Sequence, residues 1–114
     1  MLKREEILAK TELKKKSVTV DEWGGDIFVS EMSGTMRDAW EQTLREKDSS
    51  GNLLSPRAKL VAFTVVDEKG ERIFTNEDIP FIGRLSSASL EKVCSAAMEL
   101  NGLGVGDVEK AKKN

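Results

Sequence analysis

Ser17-Val18-Thr19-Val20-Asp21-Glu22-Trp23-Gly24-Gly25-Asp26-Ile27-Phe28-Val29-Ser30 changes character twice. Residues 17–21 alternate apolar and polar side chains with the period of two expected of a half-buried strand, and 27–30 resume as a second strand. Between them, Glu22-Trp23-Gly24-Gly25-Asp26 places a glycine pair where a tight reversal needs positive φ, which glycine adopts without steric cost. The stretch predicts a β-hairpin.

Upstream, residues 2–13 predict a short helix with Ile7 and Leu8 as its only well-placed apolar pair. So weak a stripe frays unless it docks on something. Lys14-Lys15-Lys16 then fits a solvated helix end, where cations suit the helix dipole.

Downstream, Thr35 with Asp38 three positions on predicts a capped helix, with Met36, Trp40 and Leu44 on one stripe as far as about Glu46. Asp48-Ser49-Ser50-Gly51-Asn52 breaks it. Ser55-Pro56 starts another helix, with proline at the first position where its missing N–H costs nothing. Leu60 to Val66 is apolar almost throughout, which suits a buried helix and a buried strand alike; the Ser-Pro start favours helix.

Asp67-Glu68-Lys69-Gly70 is a turn, and Arg72-Ile73-Phe74 a short extended piece. Thr75, again with Asp78 three residues later, caps a helical turn whose Ile79, Phe81 and Ile82 are expected to face inward. Ser86 or Ser87 opens a helix carrying Leu90, Val93, Ala97 and Leu100 on one face, closed by Asn101-Gly102. A polar tail helix follows from about Asp107 to Lys113. The expected fold class is α+β: an N-terminal β-hairpin packed against a mostly helical body of about four to five helices. One domain spans 1–114, with 1–16 as an N-terminal helical arm and 103–114 as a polar tail.

Composition narrows the function classes. The chain has 114 residues, 39% hydrophobic and 33% charged, which gives a thin core under a strongly solvated surface. Its 18 basic and 20 acidic residues leave a net charge of −2, which argues against a nucleic-acid binder carried by excess cations. A single cysteine, Cys94, rules out an internal disulfide, and no stretch has the length of a membrane span or the apolar core of a signal peptide. A cytosolic protein is expected.

The chemistry of catalysis is hard to assemble from these residues. There is no histidine to act as base or metal ligand, and no tyrosine. Cys94 sits mid-helix among apolar neighbours, with no histidine to activate it, and is expected to be a small buried hydrophobe. Gly102, Gly104 and Gly106 follow a helix rather than a strand, so they do not form a dinucleotide fingerprint. The carboxylates near the hairpin and at 67–78 have the distribution of polar turns. No enzyme, cofactor or metal is expected. Trp23 is the exception to this plainness: a tryptophan beside glycines either folds over the core or is offered to a partner.

Taken together, Val18-Thr19-Val20-Asp21-Glu22-Trp23-Gly24, the second strand, and the helix entered through Met32-Ser33-Gly34-Thr35 resemble the tail assembly chaperones of long-tailed, lambda-like bacteriophages. The likeness continues through Asp67-Glu68-Lys69-Gly70, Phe74, Asp78-Ile79 and Leu100-Asn101-Gly102-Leu103, covering about residues 17–113. It implies a non-enzymatic factor in the host cell cytoplasm, absent from the mature virion. Such a factor binds and solubilises the tape measure protein and helps to recruit tail tube protein subunits. It also implies many copies per client, with room for self-association. Members are often made in two lengths by a ribosomal frameshift; the lysines of Glu109-Lys110-Ala111-Lys112-Lys113-Asn114 are compatible with slippage, and this chain would be the short form. The binding surface expected on this basis joins Trp23 and Phe28 of the hairpin to Met36 and Trp40. Two rivals are a small nucleic-acid-associated regulator using a helical pair of the C-terminal half, which the charge balance opposes, and a carboxylate-based or metal-dependent hydrolase.

Overall fold

The computed structural model describes residues 1–104. The fold is α+β, with a three-stranded antiparallel sheet and five α-helices among the described residues. The hairpin forms as its alternation requires. Strand β1 (Lys15–Val20) pairs with β2 (Gly25–Ser30), in the register Lys15 opposite Ser30 and Val20 opposite Gly25. The reversal is a turn of 3-10 helix over Asp21–Trp23 that ends at Gly24, whose φ is 78°. Gly24 alone of the pair takes positive φ; Gly25 is already the first residue of β2.

Upstream, the helix is shorter than the expected 2–13: α1 spans Arg4–Leu8 and buries none of its residues. Without a packed face, propagation past one turn gains nothing. Lys15 and Lys16 are strand residues rather than a helix end, because pairing with Ser30 and Val29 outweighs the dipole.

After β2, α2 (Gly34–Thr43) is capped by Ser33, whose hydroxyl accepts from the Met36 amide at 3.2 Å. The cap lies two residues before the expected Thr35. The polar break that follows closes on itself, with Asp48 Oδ1 accepting from the amides of Ser50 and Asn52. Helix α3 (Pro56–Thr64) starts at Ser55 and Pro56 as expected. The ambiguous apolar run divides: Leu60 to Thr64 is helix, and Val65–Val66 is a third strand, β3, paired with Phe28 and Val29. Every residue of α3 from Ala58 to Thr64 is buried, so the helix has no polar stripe by which periodicity could identify it. Even Lys59 is enclosed, its Nζ donating to the Glu46 carbonyl at 3.3 Å.

Thr75 and Asp78 form the expected capping box, and α4 (Ile79–Ile82) follows. Ile79 and Ile82 are buried, but Phe81 is 61% exposed, which corrects its expected inward position. A four-residue helix has one buried side, and Ile79 and Ile82, at i and i+3, take it. Helix α5 (Ser87–Leu100) begins at the Ser86 cap and ends in a Schellman motif. Gly102 takes φ 64°, and Leu103 N–H donates to the Met98 carbonyl at 2.8 Å. The tail helix expected from Asp107 to Lys113 lies outside the described residues.

The two sheet faces are used differently. Val20, Val29 and Val65 point inward and are fully buried in one core with Leu60, Val61, Leu90 and Val93. Burying each such side chain contributes about 1.5–3 kcal/mol. Helix α5 packs on α3 and against β1 and β2. The opposite face carries Phe28, half-buried, beside Val66 and Ser30, which are both buried.

Candidate protein-binding surface

The outer sheet face is shaped by the turn that follows β3. Asp67 N–H donates to the Glu71 carbonyl at 2.8 Å, and Asp67 Oδ1 accepts from the amides of Lys69 and Glu71. Gly70, at φ 86°, closes the turn. The bond from the Glu71 amide, more than any other influence, holds the Asp67 carboxyl below the usual aspartate range.

A groove lies on each side of this turn. One, of about 470 Å³, is lined by Phe28, Val66, Ile73 and the carboxylates Asp26, Asp67, Glu68 and Glu71. The other, of about 300 Å³, is lined by Leu13, Met32, Met36, Phe63 and, again, Val66 and Glu71. Val66 and Glu71 thus belong to both, and the two grooves form one surface around the turn. Lys15 lies across the first, its Nζ 4.8 Å from the Phe28 ring centre while donating to the Glu68 carbonyl. Arg72 anchors the far strand of the turn, with its guanidinium 4.0 Å from the Phe63 ring centre and its Nε donating to the Ala62 carbonyl at 2.8 Å.

The four residues singled out in the sequence fall in three places. Phe28 and Met36 line the paired grooves, half-buried. Trp40 is 2% exposed and belongs to the core, so in this structure it offers no surface. Trp23 is half-buried at the hairpin tip and packs against the core. Beside it, Glu22 accepts from Lys92 of α5 at 2.7 Å, which lowers the Glu22 pKa and raises that of Lys92. Sequence reasoning missed Met32, Val66 and Ile73. Their apolar character was visible, but their convergence depends on how β3 and the turn double back.

A further apolar groove, of about 420 Å³, surrounds α4 and is lined by Ile73, Phe74, Phe81, Ile82 and Leu85, with Asp78 at its rim. Ile73 is common to this groove and the first one. Arg84 lies over the outer face of Phe81, 5.1 Å from the ring centre. Among the described residues, no three His, Cys, Asp or Glu side chains are gathered to hold a metal ion. None of the described helices is long and apolar enough to cross a membrane.

Comparison with known proteins bears on the whole chain. A family model described as phage tail assembly chaperone matches residues 2–114. No curated protein matches the sequence. Among solved structures, the tail assembly chaperone of bacteriophage HK97 superimposes with a TM-score of 0.60 at 18% identity, covering 88% of this chain and 95% of that one. At this identity the superposition shows a shared fold.

Proposed function

The chain belongs to the phage tail assembly chaperone family, and from that premise we propose that it is a non-enzymatic holding factor for the tape measure protein. In this proposal it acts in the host cell cytoplasm, keeps its client soluble, helps to recruit tail tube subunits and leaves before the virion is complete. The family match over residues 2–114 carries the reading. The geometry supplies a surface suited to it: two grooves floored by Phe28, Val66, Met32 and Met36, next to exposed carboxylates.

The physical logic is that of covering an aggregation-prone stripe. A long helix without its final partners exposes apolar side chains, and a small, highly charged protein can bury them while presenting its own charges to water. Methionines suit a client of repeating but imperfect pattern, because their unbranched side chains adapt to irregular surfaces. Trp23 is retained in the proposed surface as an edge residue of the hairpin, while Trp40 is a core residue of the helix that carries Met36.

Co-expression of the chain with the tape measure protein of its own phage, followed by pull-down, tests the proposal. Retention of the client together with its rescue from the insoluble fraction is the expected result. The Phe28→Asp and Met36→Asp variants should lose retention while keeping the native circular dichroism spectrum. A client that stays insoluble with the wild-type chain would refute the reading.

A further inference from the structure

Lys59 is a cation where the sequence would place an apolar residue. It sits in the middle of α3 and is fully buried, in a helix whose residues from Ala58 to Thr64 are all enclosed. An ammonium carries three donors, and the partner that meets them is the Glu46 carbonyl at 3.3 Å. That carbonyl is shared with the Leu54 amide, 3.5 Å away. Taking a charge out of water costs more than one long bond to a neutral oxygen returns. Burial accordingly pushes the Lys59 amine below the usual lysine range, against the opposing pull of the Glu46 carboxylate. Glu46 is the charged group whose field acts on the amine, and it belongs to the connection between α2 and α3.

That connection is lightly attached, as a comparison of two turns shows. Asp48 N–H donates to the Asn52 carbonyl at 2.7 Å and Gly51 N–H to the Asp48 carbonyl at 3.0 Å, just as Asp67 bonds to Glu71 and Gly70 to Asp67 at 2.8 and 3.0 Å. In both, the aspartate Oδ1 accepts from the amides two and four residues on. The turns differ in what holds them. The 67–71 turn grows out of β3 and is fastened by Arg72 to the Ala62 carbonyl. The 48–52 turn hangs from the single bridge of Lys47 with Leu53 and from the shared Glu46 carbonyl, and residues 45–52 are all exposed. Local opening is easiest where few buried apolar contacts are lost.

We propose that residues 46–54 form a hinged cover over Lys59, which opens with the rest of the fold intact and returns the ammonium to water. The buried charge works against the closed form, and the weak attachment of the turn makes the cover yield before the core does. The amine is more readily charged when the cover is open, so protonation favours opening. Opening therefore diminishes as pH rises through the lowered value of the closed form towards that of a free lysine. The device requires neither a client nor a second copy of the chain.

Amide hydrogen exchange of the full-length chain at pH 7 tests the proposal, with the 67–71 turn as internal control. Lys59→Met replaces the charge by an apolar side chain of similar length, and should slow exchange of the 48–54 amides at least tenfold while leaving 67–71 unchanged. Glu46→Gln keeps the carbonyl but removes the carboxylate. It should speed exchange of the same amides by a smaller factor, and should have no effect in the Lys59→Met background. Acylation of Lys59 in the wild-type chain, read by peptide mass, should proceed at a rate that low denaturant does not change, since a local opening exposes little surface. Exchange at 48–54 indifferent to Lys59→Met would overturn the proposal. So would slowing shared equally by 67–71, which would mean that Lys59 burdens the whole fold, or acylation of Lys59 that tracks global unfolding.

Discussion

The side chain of Asn101 accepts a hydrogen bond from the backbone amide of Met32 at 2.6 Å, across 69 residues of sequence. Its Nδ2 donates to the Ala97 carbonyl at 2.8 Å, and its own carbonyl accepts from Arg37 at 3.2 Å. One residue therefore ties the end of α5 to the entry of α2. Replacing it with alanine should cost about 1–3 kcal/mol, since the Met32 amide loses its partner, while the Ala97 carbonyl keeps only the bond from the backbone amide of residue 101. Asn101→Asp should not rescue the loss, because a carboxylate can no longer donate to Ala97 and adds negative charge at a helix C-terminus. Denaturant melts of both variants check this, and full stability of the aspartate variant would contradict it.

Trp40 is enclosed in the core, and among the described residues its Nε1 is the buried side-chain nitrogen or oxygen that lacks a hydrogen-bond partner. Removing that donor offsets part of the lost packing. Trp40→Phe should therefore stay within about 1.5 kcal/mol of the wild type, whereas Trp40→Ala should lose about 3–5 kcal/mol. The gap between the two variants in urea denaturation is the measured quantity, and near-equal losses would argue against a core position.

Asp67 makes stability depend on pH. Its pKa is lowered on folding, first by the amide of Glu71. A carboxyl lowered in the folded state contributes stability fully above its unfolded pKa and loses it as pH falls through the folded value. The melting-temperature difference between the wild type and Asp67→Asn should therefore be constant above about pH 5 and close as pH falls below about 4. A difference that persists unchanged at low pH would show that the turn does not use the charge.

Cys94 is buried in α5, and burial foremost, with Glu91 beside it, pushes its thiol up to about 12. Thiolate is the reactive form, so the native protein should react with an aromatic disulfide reagent at pH 8 only as fast as it opens. Labelling should accelerate with denaturant in parallel with unfolding. Rapid stoichiometric labelling of the native chain would contradict this.

Much of the fold was legible because its signals are local. Ser55-Pro56, the Thr75–Asp78 capping box, the Ser86 cap and the Asn101-Gly102 stop each satisfy backbone groups within a few residues, so sequence spacing alone exposes them. The hairpin was legible for the same reason: its pairing partners are joined by a tight turn. Where two local signals competed, the tertiary structure chose. Ser33 won over Thr35 as the cap of α2. Lys15 and Lys16 entered a strand because β2 lay beside them.

The candidate surface was half legible. Phe28 and Met36 carried the right chemistry, but nothing local distinguished them from Trp40, which the same helix turns into the core. Phe81 was misplaced because Ile79, Phe81 and Ile82 are equally apolar, and only the side on which α3 lies decides which of them are covered.

The sequence by itself determined the fold class, the hairpin, the caps and the stops, and it carried the family likeness, since each rests on side chains acting on nearby backbone or on period. Only the tertiary structure decided that residues 60–66 are helix and then strand, that Trp40 is core and Phe81 surface, and that the outer sheet face joins Phe28 to Met36 through Val66. The physical reason is that burial belongs to pairs of elements. An apolar residue has a preference for leaving water, but which neighbour satisfies that preference is settled only when the elements pack.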